Sequence, residues 1–204
     1  MKPMPRLREL LGIAAFYRAF AGVAGGDARS TYQREYLRAR AGERVLDIGC
    51  GPADILEVLP RGCAYVGFDS SPEYIEAARR RYGERGRFEL RRITSATLKE
   101  FEGFDLVMAN GVLHHLDDDD AHELFEIARV ALRPEGRLMT LDGCYAPRQS
   151  AIARYLLSRD RGRFVRAEPE YEALARAHFS SVTAHLRHDL MRIPYTHLIL
   201  ECRP

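Results

Sequence analysis

The chain has 204 residues, of which 46% are hydrophobic and 29% charged, and its formal net charge is +2. That length supports one domain with a full core and is short for two, and near-neutral charge argues against a surface built for nucleic acid. Cys50, Cys63, Cys144 and Cys202 show neither metal-ligand nor disulfide-framework spacing, so reduced thiols in a cytoplasmic protein and no metal are the expectation.

Residues 6–21 carry Leu7, Leu10, Leu11, Ala14, Ala15 and Phe16 at helical spacing. The apolar run Leu10–Phe16 follows a basic stretch, as in a signal peptide, but Tyr17-Arg18 interrupts it and the helix is the better reading. Gly22, Gly25 and Gly26 break the pattern, and Ser30–Ala39 predicts a second helix carrying Tyr32, Tyr36 and Leu37. The alternation that follows predicts strands at 44–48, 64–68, 87–92, 104–109 and 136–141, with helices at 53–59, 72–81 and 119–132. Pro52 and Pro72 each stand where a first helical turn tolerates a missing N–H. Helices at 149–158 and 168–178 follow, then two late strands, Ser181–Arg187 and Tyr195–Cys202, able to pair antiparallel at a sheet edge. No run approaches the ~20 apolar residues that cross a membrane.

Strands alternating with helices predict an α/β fold, a Rossmann-like doubly wound parallel sheet covered on both faces. Its most informative stretch is Val45-Leu46-Asp47-Ile48-Gly49-Cys50-Gly51, a strand feeding a glycine turn. Missing side chains there let backbone N–H groups approach a ligand. Asp69, ending the next strand, can accept from both hydroxyls of a ribose. Charge then selects among nucleosides. The third position of a dinucleotide fingerprint holds Asp54, and Asp47 precedes the turn. A carboxylate at ~4 Å from a pyrophosphate is repelled by some kilocalories at an effective dielectric of ~20, whereas a cationic adenosyl ligand is attracted.

VLDIGCG, the strand-end GFD with SPEYIEAA, FDLVMANGVLHHL and RPEGRLMTLD together resemble the class I S-adenosylmethionine-dependent methyltransferases, in that family's order and over about residues 42–142. The resemblance implies one domain of seven strands closed by an antiparallel C-terminal hairpin. It implies a helical lid over residues 1–40, a cofactor-binding core at 42–142, a substrate-covering insertion at 143–180 and edge strands at 181–204. The cofactor implied is S-adenosylmethionine, with Asp47, Gly49 and Gly51 under its methionine end and Asp69 and Ser70 at the ribose. Tyr74, Thr94 and Ser95 border the adenine, and the backbone around Asn110 meets the methionine end. Where the family usually has an acid, this chain has Thr94, so Thr94, Ser95 or a backbone carbonyl receives the adenine amino group. Ala53 replaces a third glycine, with a slight effect on helix approach expected.

His114 borders the acceptor pocket and is the candidate general base, with His115 left to packing. Tyr17, Tyr32 and Tyr36 belong to the lid. Arg163, among Arg159, Arg161 and Arg166, is a candidate contact for a carboxylate or phosphate on the substrate. Asp117–Asp120 read as a solvated helix start. The activity implied is in-line methyl transfer to oxygen or carbon of a small molecule, without nucleic-acid or membrane partners, as a monomer or homodimer. No Asn/Asp-Pro-Pro-Tyr/Phe sequence follows the fourth strand, against the nucleic-acid amino-methylating enzymes, and no Gly-Lys pair exists for a Walker-type loop. A non-catalytic adenosyl-binding relative is the alternative, and a nicotinamide-dependent reductase, lacking its Tyr-x-x-x-Lys pair here, a weaker one.

Overall fold

The computed structural model describes residues 27–94, 101–160 and 162–204. Helix α1 (Ala28–Tyr32) widens into a π-turn over Gln33–Leu37 and stops at Arg38, whose φ of 49° is left-handed. The predicted helix at 6–21 and Tyr17 lie outside the described residues. Seven strands follow: β1 (Arg44–Ile48), β2 (Ala64–Asp69), β3 (Gly86–Leu90), β4 (Phe104–Asn110), β5 (Leu132–Gly143), β6 (Ser181–Arg187) and β7 (His197–Arg203). Between them lie α2 (Pro72–Tyr82), α3 (Asp118–Ala131), α4 (Ala151–Ser158) and α5 (Glu168–Arg176).

The strands form one sheet in the order β3-β2-β1-β4-β5-β7-β6, parallel from β3 through β5, with β7 antiparallel to both its neighbours. The chain reverses direction across the sheet between β1 and β4, the crevice where open α/β sheets bind ligands. Alternate side chains of the same strands build two cores. Leu46, Phe68, Val107 and Leu138 pack with Leu124 and Phe125 of α3 and Tyr171 and Leu174 of α5. Val45, Tyr65, Met108 and Ile199 pack with Tyr32 and Tyr36 near α1 and Ile75 of α2. A doubly wound sheet covered on both faces is therefore what the alternation yields.

One predicted helix is absent. Instead of a helix at 53–59, a single 3-10 turn covers Asp54–Glu57. Ala53 is fully buried and left-handed at φ 58°, so the glycine-for-alanine difference does more than adjust an approach angle. With the chain turned there, too little length remains before Pro60 for a regular helix, and the turn's carbonyls at Leu56, Leu59 and Pro60 accept from the Arg85 guanidinium. Strand β5 begins earlier than predicted because Leu132 already pairs with Phe104, across a register shift at Phe104/Leu106.

Candidate active site

The turn after β1 is set by backbone geometry. Gly49 and Gly51 have φ of +73° and +54°, and a Cβ on Gly49 would stand 2.6 Å from Val112 Cγ2. The N–H groups of Gly49 and Cys50 both donate to the Phe68 carbonyl, at 2.8 and 2.9 Å, tying the turn to β2. Asp69 completes the tie: its Oδ2 accepts from Gly51 N–H (2.9 Å) and its Oδ1 from Ser71 N–H (2.8 Å). Ser71, not Asp69, caps α2 by accepting from Tyr74 N–H. Each Asp69 oxygen keeps a lone pair for a hydroxyl. Ser70 is exposed and Tyr74 half-buried beside it.

Asp47 lies beneath this turn, 3% exposed, where Tyr65 donates to its Oδ2 at 2.6 Å. Burial pushes its carboxyl up to about 7, opposed by the Tyr65 hydrogen bond and reinforced by Asp69. A cavity of about 300 Å³ opens from the turn toward α3, lined by Gly49, Asp69, Ser70, Ile93, Val112 and Leu124 among others. Thr94, half-buried, follows Ile93 directly, and Ser95 lies outside the described residues.

On the other side of the turn, Tyr32 donates to Asn110 Oδ1 at 2.8 Å, fastening α1 to the end of β4. Burial and the nearby Asp47 and Asp142 carboxylates hold the Tyr32 phenol well above its usual range, so it stays a donor. Asp142, at the end of β5, lies 2.8 Å from His114 Nδ1 and also accepts from His114 N–H. Its Oδ2 is buried and without a hydrogen-bond partner among the described residues. Asp160 stands 3.7 Å from His114 Nε2. Burial pulls the imidazole pKa down, but Asp142 and Asp160 outweigh it and the net direction is up. Of the two histidines, His114 is buried and His115 exposed, with their ring centroids 4.1 Å apart.

The segment after α4 crosses over this histidine. Phe164 N–H donates to the His114 carbonyl, and a Cβ on Gly162 would fall 2.2 Å from the imidazole Cδ2. Arg166 anchors the segment from inside: it donates to the carbonyls of Leu113, Leu116 and Phe164 and pairs with Asp118 at 2.7 Å. Arg163 is exposed on it, Arg159 lies over the Tyr155 ring, and Arg161 is outside the described residues. Asp117 caps α3 and Asp120 pairs with Arg92, so the acidic run is spent on capping and ion pairs. No group of three metal-ligating side chains is gathered among the described residues.

The arrangement suits a cationic adenosyl group: left-handed glycines beside the cavity, an acid at the β2 tip, a buried acid beneath the turn and an orphaned carboxylate oxygen at Asp142. Sequence reasoning missed Asp142, Asp160 and Tyr65. Asp142 left a signal, an acid ending the strand beside β4; Asp160 and Tyr65 left none, because only tertiary packing brings them to the site.

Residues 46–138 match the family described as a methyltransferase domain. The Streptomyces fradiae "Uncharacterized 37.1 kDa protein in transposon TN4556" is 38% identical over 125 residues, 57% of this chain and 36% of that protein. A ubiquinone biosynthesis O-methyltransferase of Azorhizobium caulinodans is 40% identical over 97 residues, 46% of this chain and again 36% of that protein. The chain thus spans about a third of the length of these curated relatives. The S-adenosylmethionine-dependent methyltransferase SibL superposes with a TM-score of 0.74 at 20% identity, over 98% of this chain and 60% of that one, a likeness of fold. Among the described residues no helix is long and apolar enough to cross a membrane. Over residues 46–138 the chain is thus similar to a methyltransferase domain, and its fold is like that of an S-adenosylmethionine-dependent methyltransferase.

Proposed function

We propose that this protein transfers a methyl group from S-adenosylmethionine to oxygen or acidic carbon of a small-molecule acceptor. The observation that carries the choice of acceptor atom is the buried His114–Asp142 pair at the mouth of the sheet. An oxygen or carbon nucleophile must lose a proton, and a histidine held at Nδ1 by a carboxylate presents Nε2 to take it. The O-methyltransferase named above, similar over 46% of this chain, supports the same direction.

When bound, the cofactor supplies an activated methyl group on a good leaving group. The protein supplies the rest. Gly49 and Gly51 leave room for close backbone approach, Asp69 and Ser70 receive the ribose hydroxyls, and Tyr74 and Thr94 flank the base. Asp47 faces the positive charge of the methionine end, with Asn110 held in place by Tyr32. Asp142 orients His114, and the 162–166 segment excludes water so that the reacting atoms meet in line.

The test is release of S-adenosylhomocysteine with phenol, 1,3-dicarbonyl, amine and thiol acceptors, on wild type and His114→Gln. Turnover of a phenol or dicarbonyl, rising with pH as the imidazole deprotonates and cut at least ~100-fold in the variant, is expected. Turnover of amines or thiols alone would refute the acceptor class. A second reading, that His114 chiefly pins the 162–166 segment, is favoured by the Phe164 bond and the Gly162 contact. A variant that melts earlier yet turns over at the wild-type rate would select it.

A further inference from the structure

A second cavity, of about 410 Å³, lies between the start of α4 and the segment joining β6 to β7. Its lining includes Arg148, His188 and Arg192 and no aspartate or glutamate. Arg148 and Arg192 are exposed, and among the described residues neither is paired with a carboxylate. Arg29, Arg81, Arg129, Arg166, Arg176 and Arg187, by contrast, have carboxylate partners.

The cavity's polar floor is ordered. Gln149 Nε2 donates to Thr196 Oγ1 at 3.0 Å and to the Cys144 carbonyl, while its Oε1 accepts from Ala146 N–H. His188 Nδ1 shares a hydrogen bond with the Thr196 hydroxyl, 3.1 Å away. Arg148 and Arg192 therefore offer hydrogen-bond donors with no carboxylate in the lining, and His188 adds a ring nitrogen beside them. Arg148 holds a left-handed backbone at φ 60°, a cost of order 1 kcal/mol for a residue with a side chain. Ala153, Met191, Ile193 and Pro194 make the remaining wall apolar.

The cavity also reaches the proposed chemistry. Tyr195 lines it, and the Tyr195 hydroxyl donates to Asp160 Oδ2, while Asp160 Oδ1 faces His114 Nε2. One hydrogen-bonded side-chain pair separates the cavity from the proposed base.

We infer that this cavity binds the acceptor by an anionic group, a carboxylate or phosphate carried on an apolar or aromatic body, which Arg148 and Arg192 hold with His188. The inference rests on the methyltransferase reading for the word acceptor, but the anion site stands on its own lining. It also moves anion recognition away from the Arg159–Arg166 run, whose Arg166 is committed to structure.

The test is calorimetric titration with benzoate and phenyl phosphate as probes, and with benzamide as the neutral isostere, in the presence of S-adenosylhomocysteine. The wild type should bind at least one anion ten-fold or more tighter than benzamide, with an affinity that falls as salt is raised. The two anions distinguish a carboxylate from a phosphate site. Arg148→Gln with Arg192→Gln should cost at least ten-fold for the anion and leave benzamide and S-adenosylhomocysteine binding unchanged. The corresponding double lysine substitution should recover part of the loss, and each single glutamine variant should fall between. Benzamide binding as tightly as the anions, or glutamine variants that bind anions like wild type, would overturn the inference. Anion binding that persists where S-adenosylhomocysteine fails to bind would support the anion site while sinking the cofactor reading.

Discussion

Gly49→Ala isolates the backbone demand of the turn under the cofactor. The substitution meets two separate costs. An alanine at φ +73° loses about 1–2 kcal/mol to the clash between Cβ and its own carbonyl. The new Cβ also lands 2.6 Å from Val112 Cγ2, and a β-branched side chain has few rotamers by which to withdraw. Overpacking of that kind costs about 1–3 kcal/mol. Restricting the unfolded chain returns about 0.4–1 kcal/mol. The net expectation is a loss of about 2–4 kcal/mol, read by urea denaturation. Val112→Ala removes the colliding methyl, so the double variant should regain the steric share and keep the dihedral share. A cycle of the four proteins should therefore show a favourable coupling of about 1 kcal/mol or more. A loss below about 1 kcal/mol in Gly49→Ala, or additivity across the cycle, would refute the reasoning.

Asp69→Ala removes the acceptor for Gly51 and Ser71 N–H and should weaken S-adenosylhomocysteine binding by ~1–3 kcal/mol in calorimetry, with unchanged affinity counting against the ribose assignment. Because Asp47 titrates at about 7 rather than 3.8, the folded chain holds an extra proton between those values. That group accordingly costs stability progressively as pH rises through the window, and Asp47→Asn should flatten this part of the stability–pH curve. The same carboxylate must be ionised to attract a cation, so cofactor affinity should rise with pH toward 7 and level off above. A pH-independent wild-type affinity would speak against Asp47 as counter-charge. Arg166→Met strips four acceptors of a buried guanidinium and should lower stability by ~3 kcal/mol in denaturant titration; a loss under ~1 kcal/mol would show that the segment over His114 is anchored elsewhere.

Much of the architecture was legible from periodicity. The runs that became β1, β2, β4 and the late strands are apolar stretches bounded by turn residues, and burial on both faces is what a parallel sheet requires. The 53–59 segment was misread because its apolar spacing suits a helix, whereas its course depends on the left-handed Ala53 and on Arg85 arriving from a distant loop. The proposed cofactor half of the candidate site was equally legible, since glycines and an acid at strand ends are neighbours in sequence or separated by one crossover.

The proposed acceptor half was not. Asp142 and His114 are brought together by pairing of β4 with β5, and Asp160 and Tyr195 by the segment that folds back over them. The Arg159–Arg166 run illustrates the limit: as sequence it is a row of similar cations, yet packing buries Arg166 among carbonyls and leaves Arg163 at the surface. The strand–helix alternation, the glycine turn and the acid at the β2 tip are local properties, so the sequence by itself determined fold class and cofactor class. Which histidine is buried, which carboxylate holds it and which arginines stay unpaired depend on residues far apart in the chain. Only the tertiary structure decides them, because charge pairing and burial are properties of neighbours in space.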